Sequence, residues 1–557
     1  MSQKKITGIA IALILFSFSA GAQLYNSGAT IKIQNGAYIY SQGDVTNNAG
    51  TITNDGKLEV QGNFINSGTY NSTTLEDSVI MSGTGNVTLR AGGATINYLM
   101  LNKSSNSNEI KLTQSANVGK VLDYLVGKLT TDPINNPAYF LSAPNTAVFN
   151  FGATNEIIGT VKRTGWVSNT SVVFNQPNMQ VNTTAGTPPS DFSVTMIPQS
   201  AGGDPTQNER EVKRNFAFSQ TGGSGFTAGI RFAYLDAELN TNTEGGLVPW
   251  QLVSSEWNGE LTPITRDATA NYVEYAGIPA TDLTNEWKLA DAKYVYNAKA
   301  YLRGAWNNGS GLMRTNLNSA GLIPLTQPYA GAPTNYPGTE SVASIPNANI
   351  VDWVLLEFRK PASGDGADAD AASTIGRRAA FLLNNGDIVD LDGVSSPFIE
   401  ISKQGGGFIV VKHRNHIAIM SNNLASNALG TFANDFSVAA NAYTNPLASS
   451  TPTTVLFPSS PGNSLYGMWP GDVNRNGTVS SADLTPIYSV VGSTPDQNTN
   501  LYSVRDVNLD TNITNADASN ASYSISNFAN ASVLRPGFIN TNNLPHIIKS
   551  HVPGESN

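Results

Sequence analysis

Two acidic loops of the 557-residue chain, GDVNRNGTVSSAD at 471–483 and RDVNLDTNITNAD at 505–517, carry its most specific chemistry. Counted from the first aspartate, oxygen-bearing side chains fall at positions 1, 3, 5, 9 and 12. They are Asp472, Asn474, Asn476, Ser480 and Asp483 in one loop, and Asp506, Asn508, Asp510, Thr514 and Asp517 in the other. This is the spacing of an EF-hand-type calcium loop. Ca²⁺ is a hard cation that takes about 6–8 oxygens at about 2.3–2.6 Å, and twelve residues can wrap alternate side chains and one main-chain carbonyl around it. Thr478 and Asn512 are placed to supply the carbonyls.

A single match of this kind is weak in a chain rich in Asn and Asp; duplication makes it specific, the second loop starting 34 residues after the first (Asp472 to Asp506). Each loop precedes apolar residues at three- and four-residue steps: Leu484, Ile487, Tyr488 and Val491, then Ala521, Ile525 and Phe528. That spacing predicts a short helix after each loop. The loop–helix duplication resembles the dockerin module, including the Asp rather than Glu that closes both loops. One departure matters. Thr511 stands where the first loop has Gly477, and a β-branched residue is strained at positive φ. The second site is therefore expected to be weaker or differently folded.

The N-terminus reads as a secretory signal. Lys4 and Lys5 precede an apolar run from Ile9 to Phe18, and Ala20-Gly21-Ala22 offers a cleavage site before Gln23. The run is shorter than the roughly 20 residues of a membrane-spanning helix, so a cleaved signal and no transmembrane segment are expected. The chain contains no cysteine, which excludes disulfides, thiolate metal sites and cysteine nucleophiles. Charged residues make up only 13%, with a net charge of −9. That balance argues against nucleic acid or an anionic membrane as partner and is compatible with calcium and neutral glycans.

The scaffold reads as mainly β. DVTNNAGTI at 44–52 aligns with NFINSGTY at 63–70, matching Val45 with Phe64 and Asn47 with Asn66 at a spacing of 19. Regular apolar positions with Asn and Gly at the corners predict β-helix or solenoid-like repeats. The block from 161 to 298 reads as a β-sandwich domain. VDWVLLEF at 351–358 is apolar on both alternating sets and reads as a strand buried on both faces, and Asn385-Gly386 as a hairpin turn. Residues 421–463 read as loops. The expected organisation is a signal peptide at 1–22, solenoid-like repeats at 23–160, a β-sandwich at 161–298, a further β domain at 299–460, a small α-helical, dockerin-like calcium module at 461–535, and a tail at 536–557.

AYLRGAWNNGSGLMRTNL at 300–317, LIPLTQPY at 322–329, VDWVLLEFR at 351–359, LLNNGDIVDLDG at 382–393 and VVKHRNHIAIM at 410–420, followed by the GDVN loop, resemble in order a family of secreted Bacteroidetes surface proteins. These often carry the label haemagglutinin or dockerin-containing. The resemblance covers about residues 296–535 and implies a modular, extracellular, non-catalytic architecture. Many relatives end in a sorting domain for type IX secretion, for which the 22 residues after Arg535 are too few.

Other constellations yield less. His413 and His416 in KHRNH would face opposite sides of a regular strand, and a shared zinc would need a third ligand, with only His546 and His551 left. A structural role is expected for KHRNH. Asp365, Asp368 and Asp370 read as a solvated acidic loop. Asp387, Asp390 and Asp392 invite comparison with glycosidase carboxylates but are expected to serve turns. Trp250, Trp257, Trp306 and Trp353 could include sugar-stacking rings, although a tryptophan in a β-rich protein is more often core. No nucleophile elbow, HExxH or phosphate-binding loop occurs. The expectation is a secreted, non-enzymatic, structural or adhesive protein that holds Ca²⁺. Self-assembly, a cohesin-like protein and cell-surface glycans are its candidate partners. The alternatives are a carbohydrate-binding protein and a polysaccharide-degrading enzyme.

Overall fold

Asn47 and Asn66, aligned by sequence, occupy equivalent positions on successive rungs of a parallel β-solenoid of about six turns. One ribbon stacks Leu24–Asn26, Val45–Asn47, Phe64–Asn66, Val87–Arg90, Glu109–Leu112, Lys128–Thr130 and Ile157–Thr164, all in parallel. Along it Val45, Phe64, Leu89 and Leu112 form an inward column with essentially no exposure. Beside them runs an amide ladder. The Asn26 side chain donates to Asn47 Oδ1 (3.0 Å), Asn47 to Asn66 Oδ1 (2.7 Å), and Asn66 to the Ala91 carbonyl (2.9 Å). Each buried amide thus finds its partner one rung away, which a low-dielectric interior requires. Gly50 completes the corner, because a Cβ there would lie 2.2 Å from Asn26 Nδ2.

The computed structural model describes residues 22–72, 77–152, 155–198, 211–254, 256–260, 264–401, 405–425, 431–444, 454–457, 465–531 and 548–554. It is mainly β, with 45% strand and 9% helix. The signal segment, apart from Ala22, lies outside the described residues. Contacts divide the chain into two compact units. The first holds the described residues up to 198 with Lys213–Glu238 and 264–288; the second holds the described residues 211–212, 239–260 and those from Leu289 onward.

In the first unit Ile157–Thr164 ends the solenoid. It runs parallel to Phe140–Pro144 and antiparallel to Asp191–Pro198, which pairs in turn with Arg214–Thr221. A second antiparallel sheet contains Gln180–Thr184, Thr227–Ala233 and Tyr272–Pro279. Aromatic rings from the two sheets interlock: Phe232 meets Phe216, Phe218 and Trp287 at centroid distances of 5.3, 5.6 and 5.7 Å.

In the second unit the strand Ile350–Arg359 is buried at every residue. It sits between Thr374–Leu383 and Phe408–His413 in a five-stranded antiparallel sheet. The turn at Asn385-Gly386 connects Thr374–Leu383 to Ile388–Val389, with Gly386 at φ +91°. Phe358 packs on Tyr296 and Phe432 (5.6 and 4.6 Å). Phe432 lies in the segment expected to be loop. Thr431–Asp435 is instead a strand, parallel to Lys293–Lys299. Its sequence carries one large apolar residue among small and polar ones, and its partner lies more than a hundred residues away, so no local pattern reveals it.

Candidate metal centre

The two acidic loops fold alike. Position 4 is left-handed in both, Arg475 at φ +60° and Leu509 at +55°, and so is position 6, Gly477 at +76° and Thr511 at +81°. The first aspartate accepts the main-chain N–H groups of positions 5 and 6. Asp472 takes Asn476 and Gly477 (3.0 and 3.1 Å), and Asp506 takes Asp510 and Thr511 (3.1 and 2.9 Å). The last aspartate accepts positions 3 and 9. Asp483 takes Asn474 and Ser480 (3.1 and 2.9 Å), and Asp517 takes Asn508 and Thr514 (3.1 and 2.8 Å). Asp483 also closes a capping box with Ser480 that starts the helix Ser481–Tyr488, and Asp517 lies in the first turn of Asn515–Ala531. The two helices pack together. Phe528 belongs to the second, but its side chain lies outside the described residues.

The expectation of a differently folded second loop is corrected by this match: Thr511 adopts the glycine conformation and bears its strain. Thr511→Gly is therefore expected to raise the stability of the C-terminal unit by about 1 kcal/mol, the lower end of the cost of a left-handed non-glycine residue. Urea denaturation checks this, and an unchanged or lowered midpoint counts against the strain.

Burial first, and the facing carboxylate second, push the Asp472 carboxyl up to about 7, and burial with Asp517 pushes Asp506 to about 7 against the opposing pull of Arg414. Asp483 and Asp517 are also raised, chiefly by burial. Each loop thus turns a pair of desolvated carboxylates toward each other, a pairing that a cation between them would relieve. Asn474 and Asn476 in the first loop, and Asn508 and Asp510 in the second, accept main-chain N–H groups two residues on through their side-chain oxygens. Asp510 also accepts from the Asn508 amide (3.0 Å). Among the described residues no group of three or more His, Cys, Asp or Glu side chains is gathered as a metal site. Asp506, Asp510 and Asp517 of the second loop are not gathered as such a group.

Their surroundings differ. Thr478–Val479 pairs antiparallel with Ile548–Lys549, so part of the expected tail is built into the fold, and Val552 joins the core of Phe408, Val410 and Met420. The second loop is held by the KHRNH hairpin. Arg414 and Asn415 form its two-residue turn, and Asn415 Nδ2 donates to the carbonyls of Val504 (3.1 Å) and Asp506 (2.7 Å). Arg414 donates to the Ser503 carbonyl and lies 4.3 Å above the Tyr502 ring. Beneath the turn, fully buried Asp352 accepts from Arg414 Nε (2.7 Å) and Tyr502 Oη (2.8 Å) and pairs with His413 Nε2 (3.1 Å). Arg414 and His413 hold its carboxyl well below the usual range against the cost of burial.

His413 and His416 do not point to opposite sides, as an unbroken strand would require. The turn makes them cross-strand partners with rings 5.1 Å apart. His416 is engaged on both nitrogens, by Gly304 N–H at Nε2 (3.2 Å) and Asn415 Oδ1 at Nδ1 (2.8 Å). Burial lowers the pKa of both rings. KHRNH is thus a structural clamp. His551 is buried, and His546 lies outside the described residues.

The other candidates serve the fold. Asp365 and Asp370 cap short 3₁₀ turns, and Asp368 accepts from Ser363 (2.7 Å). Asp390 is bidentate to Arg378 (2.7 and 2.9 Å), Asp392 caps Val394 and Ser395, and Asp387 pairs with Lys299 (3.5 Å). Trp250, Trp257 and Trp353 are core residues, while Trp306 borders a cavity. Sequence reasoning missed Asp352 and Tyr502 as the support of the second loop; the only signal was a carboxylate beside Trp353 in a strand read as buried on both faces. No family model matches the chain, and no curated protein or solved structure is detectably similar to it.

Proposed function

We propose that this is an exported, non-catalytic protein of structural or adhesive function whose C-terminal loops are ordered by calcium, in the manner of a dockerin-like module. The observation that carries this reading is the repetition of one loop geometry at two sites, with the same left-handed positions and the same buried, facing carboxylates. A polar turn without a ligand has no need to bury two carboxylates against each other. The employment of Asp387, Asp390 and Asp392 in turns and an ion pair supports a non-catalytic assignment. The signal-like N-terminus and the resemblance to secreted surface proteins support export.

The experiment is calorimetric titration of calcium into the mature protein, paired with limited proteolysis with and without chelator. Two sites are expected, the first loop tighter because glycine occupies its position 6, and Asp472→Ala is expected to abolish the tighter one. Chelation is expected to open residues 471–530 to protease while the solenoid persists. Absence of calcium binding, or equal protease resistance in both conditions, refutes the proposal.

A further inference from the structure

The segment after Tyr301 and the helix Asn515–Ala531 border a cavity of about 200 Å³. Its lining includes Arg303, Trp306, Arg314, Phe457, Asn508 and Asn520. Both arginines lack a carboxylate partner among the described residues. Arg303 lies 3.5 Å above the Tyr523 ring and donates one N–H to Asn520 Oδ1 (3.4 Å), while its buried Nε–H has no acceptor among the described residues. Arg314 donates to the Gly304 carbonyl (3.2 Å). Trp306 is nine-tenths buried, and its indole N–H also has no acceptor among the described residues.

This is an unbalanced site. A guanidinium taken out of water without a counter-charge is costly, and burial draws the Arg303 pKa down accordingly. Elsewhere in this unit Arg359, Arg378 and Arg414 each face a carboxylate within 3 Å. In a chain of net charge −9, two unneutralised arginines on one small cavity call for an anion. The planar guanidinium fork matches a carboxylate in two parallel hydrogen bonds. Trp306 and Phe457, with rings 5.0 Å apart, add an apolar wall of the kind that takes the C–H face of a sugar ring. Asn520, whose amide nitrogen donates one hydrogen to the Ala516 carbonyl, has a second to offer a hydroxyl group. The volume lies below the roughly 300–1,000 Å³ of sites for drug-sized ligands, which suits a single ring.

We propose that this cavity binds the carboxylate of a single acidic sugar residue, a hexuronate, with Arg303 and Arg314 as the anion clamp, Trp306 and Phe457 as the wall and Asn520 as a hydroxyl partner. This names a ligand class for the adhesive reading and stands apart from calcium occupancy, which the titration above measures separately.

The test is calorimetric or ligand-observed NMR titration of the mature chain with sodium glucuronate in calcium-containing buffer, with methyl glucoside and an acidic dipeptide as comparators. Saturable glucuronate binding is expected, at least about tenfold tighter than either comparator. Arg314→Gln is expected to weaken it about tenfold or more, the effect of losing a charged hydrogen-bond donor. Asn308→Trp, at an exposed border position, is expected to block it and covers the case in which the arginine variant does not fold. No saturable binding, equal affinity for methyl glucoside or for the dipeptide, or binding indifferent to both substitutions overturns the proposal.

Discussion

Without calcium the protein is expected to lose stability as the pH rises from about 5 to 8, and with saturating calcium to hold it nearly constant. The direction follows from Asp472 and Asp506, whose carboxyls are pushed up to about 7 by burial and by the facing Asp483 and Asp517. An unfolded aspartate titrates near 3.9. Between those values the metal-free fold holds protons that the unfolded chain has released, so its stability is fullest below about 4, falls through 7 and levels above it. The total loss is a few kcal/mol, because facing carboxylates share the cost. Bound calcium removes the need for those protons and stabilises by mass action, about 2.7 kcal/mol at a hundred times its dissociation constant. Proton competition makes that gain larger at pH 8 than at pH 5. Asp352 does not blur the window, because its depressed carboxyl gives up stability only at far lower pH. Urea midpoints at pH 5 and pH 8, with calcium and with chelator, give the readout. An equally steep fall in both conditions rules out the carboxylate pairs as the calcium sites.

Asp352→Ala is expected to be the most damaging single substitution in the C-terminal unit, costing roughly 3–5 kcal/mol. It removes the carboxylate that Arg414, His413 and Tyr502 share and leaves the Arg414 guanidinium buried without its counter-charge. Because the Arg414-Asn415 turn holds the carbonyls of Ser503, Val504 and Asp506, residues 502–517 should also become protease-sensitive even with calcium present. Asp390→Asn is the contrast. Its single partner Arg378 keeps some solvent contact, and the amide retains an oxygen to accept from it, so a smaller loss is expected. Denaturation midpoints of the two variants compare them directly, and a loss below about 1 kcal/mol for Asp352→Ala removes the clamp from the account.

Several elements were legible in the sequence because their partners recur at short range. The 19-residue spacing of Asn47 and Asn66 is the height of one rung, so periodicity alone identified the solenoid. The two calcium-type loops draw most of their hydrogen bonds from within twelve residues, so their spacing carried their geometry. The apolar residues on both alternating sets around Trp353 announced a strand covered on both faces. Long-range partnership was not legible. Nothing near residue 352 says that its carboxylate will meet Arg414 and Tyr502, and nothing in KHRNH says that a two-residue turn will bring His413 against His416 and carry Asn415 to the second loop. The strand Thr431–Asp435 was hidden for the same reason, and so was the place of Ile548–Lys549 beside the first loop. The sequence by itself determined the chemistry offered: two acidic loops of matching spacing, an amide ladder and a cysteine-free β scaffold. Tertiary structure alone decided which charges are buried together, how Thr511 is held in a glycine conformation and which arginines are left without a counter-charge, because desolvation and pairing depend on what the rest of the chain brings within a few ångströms.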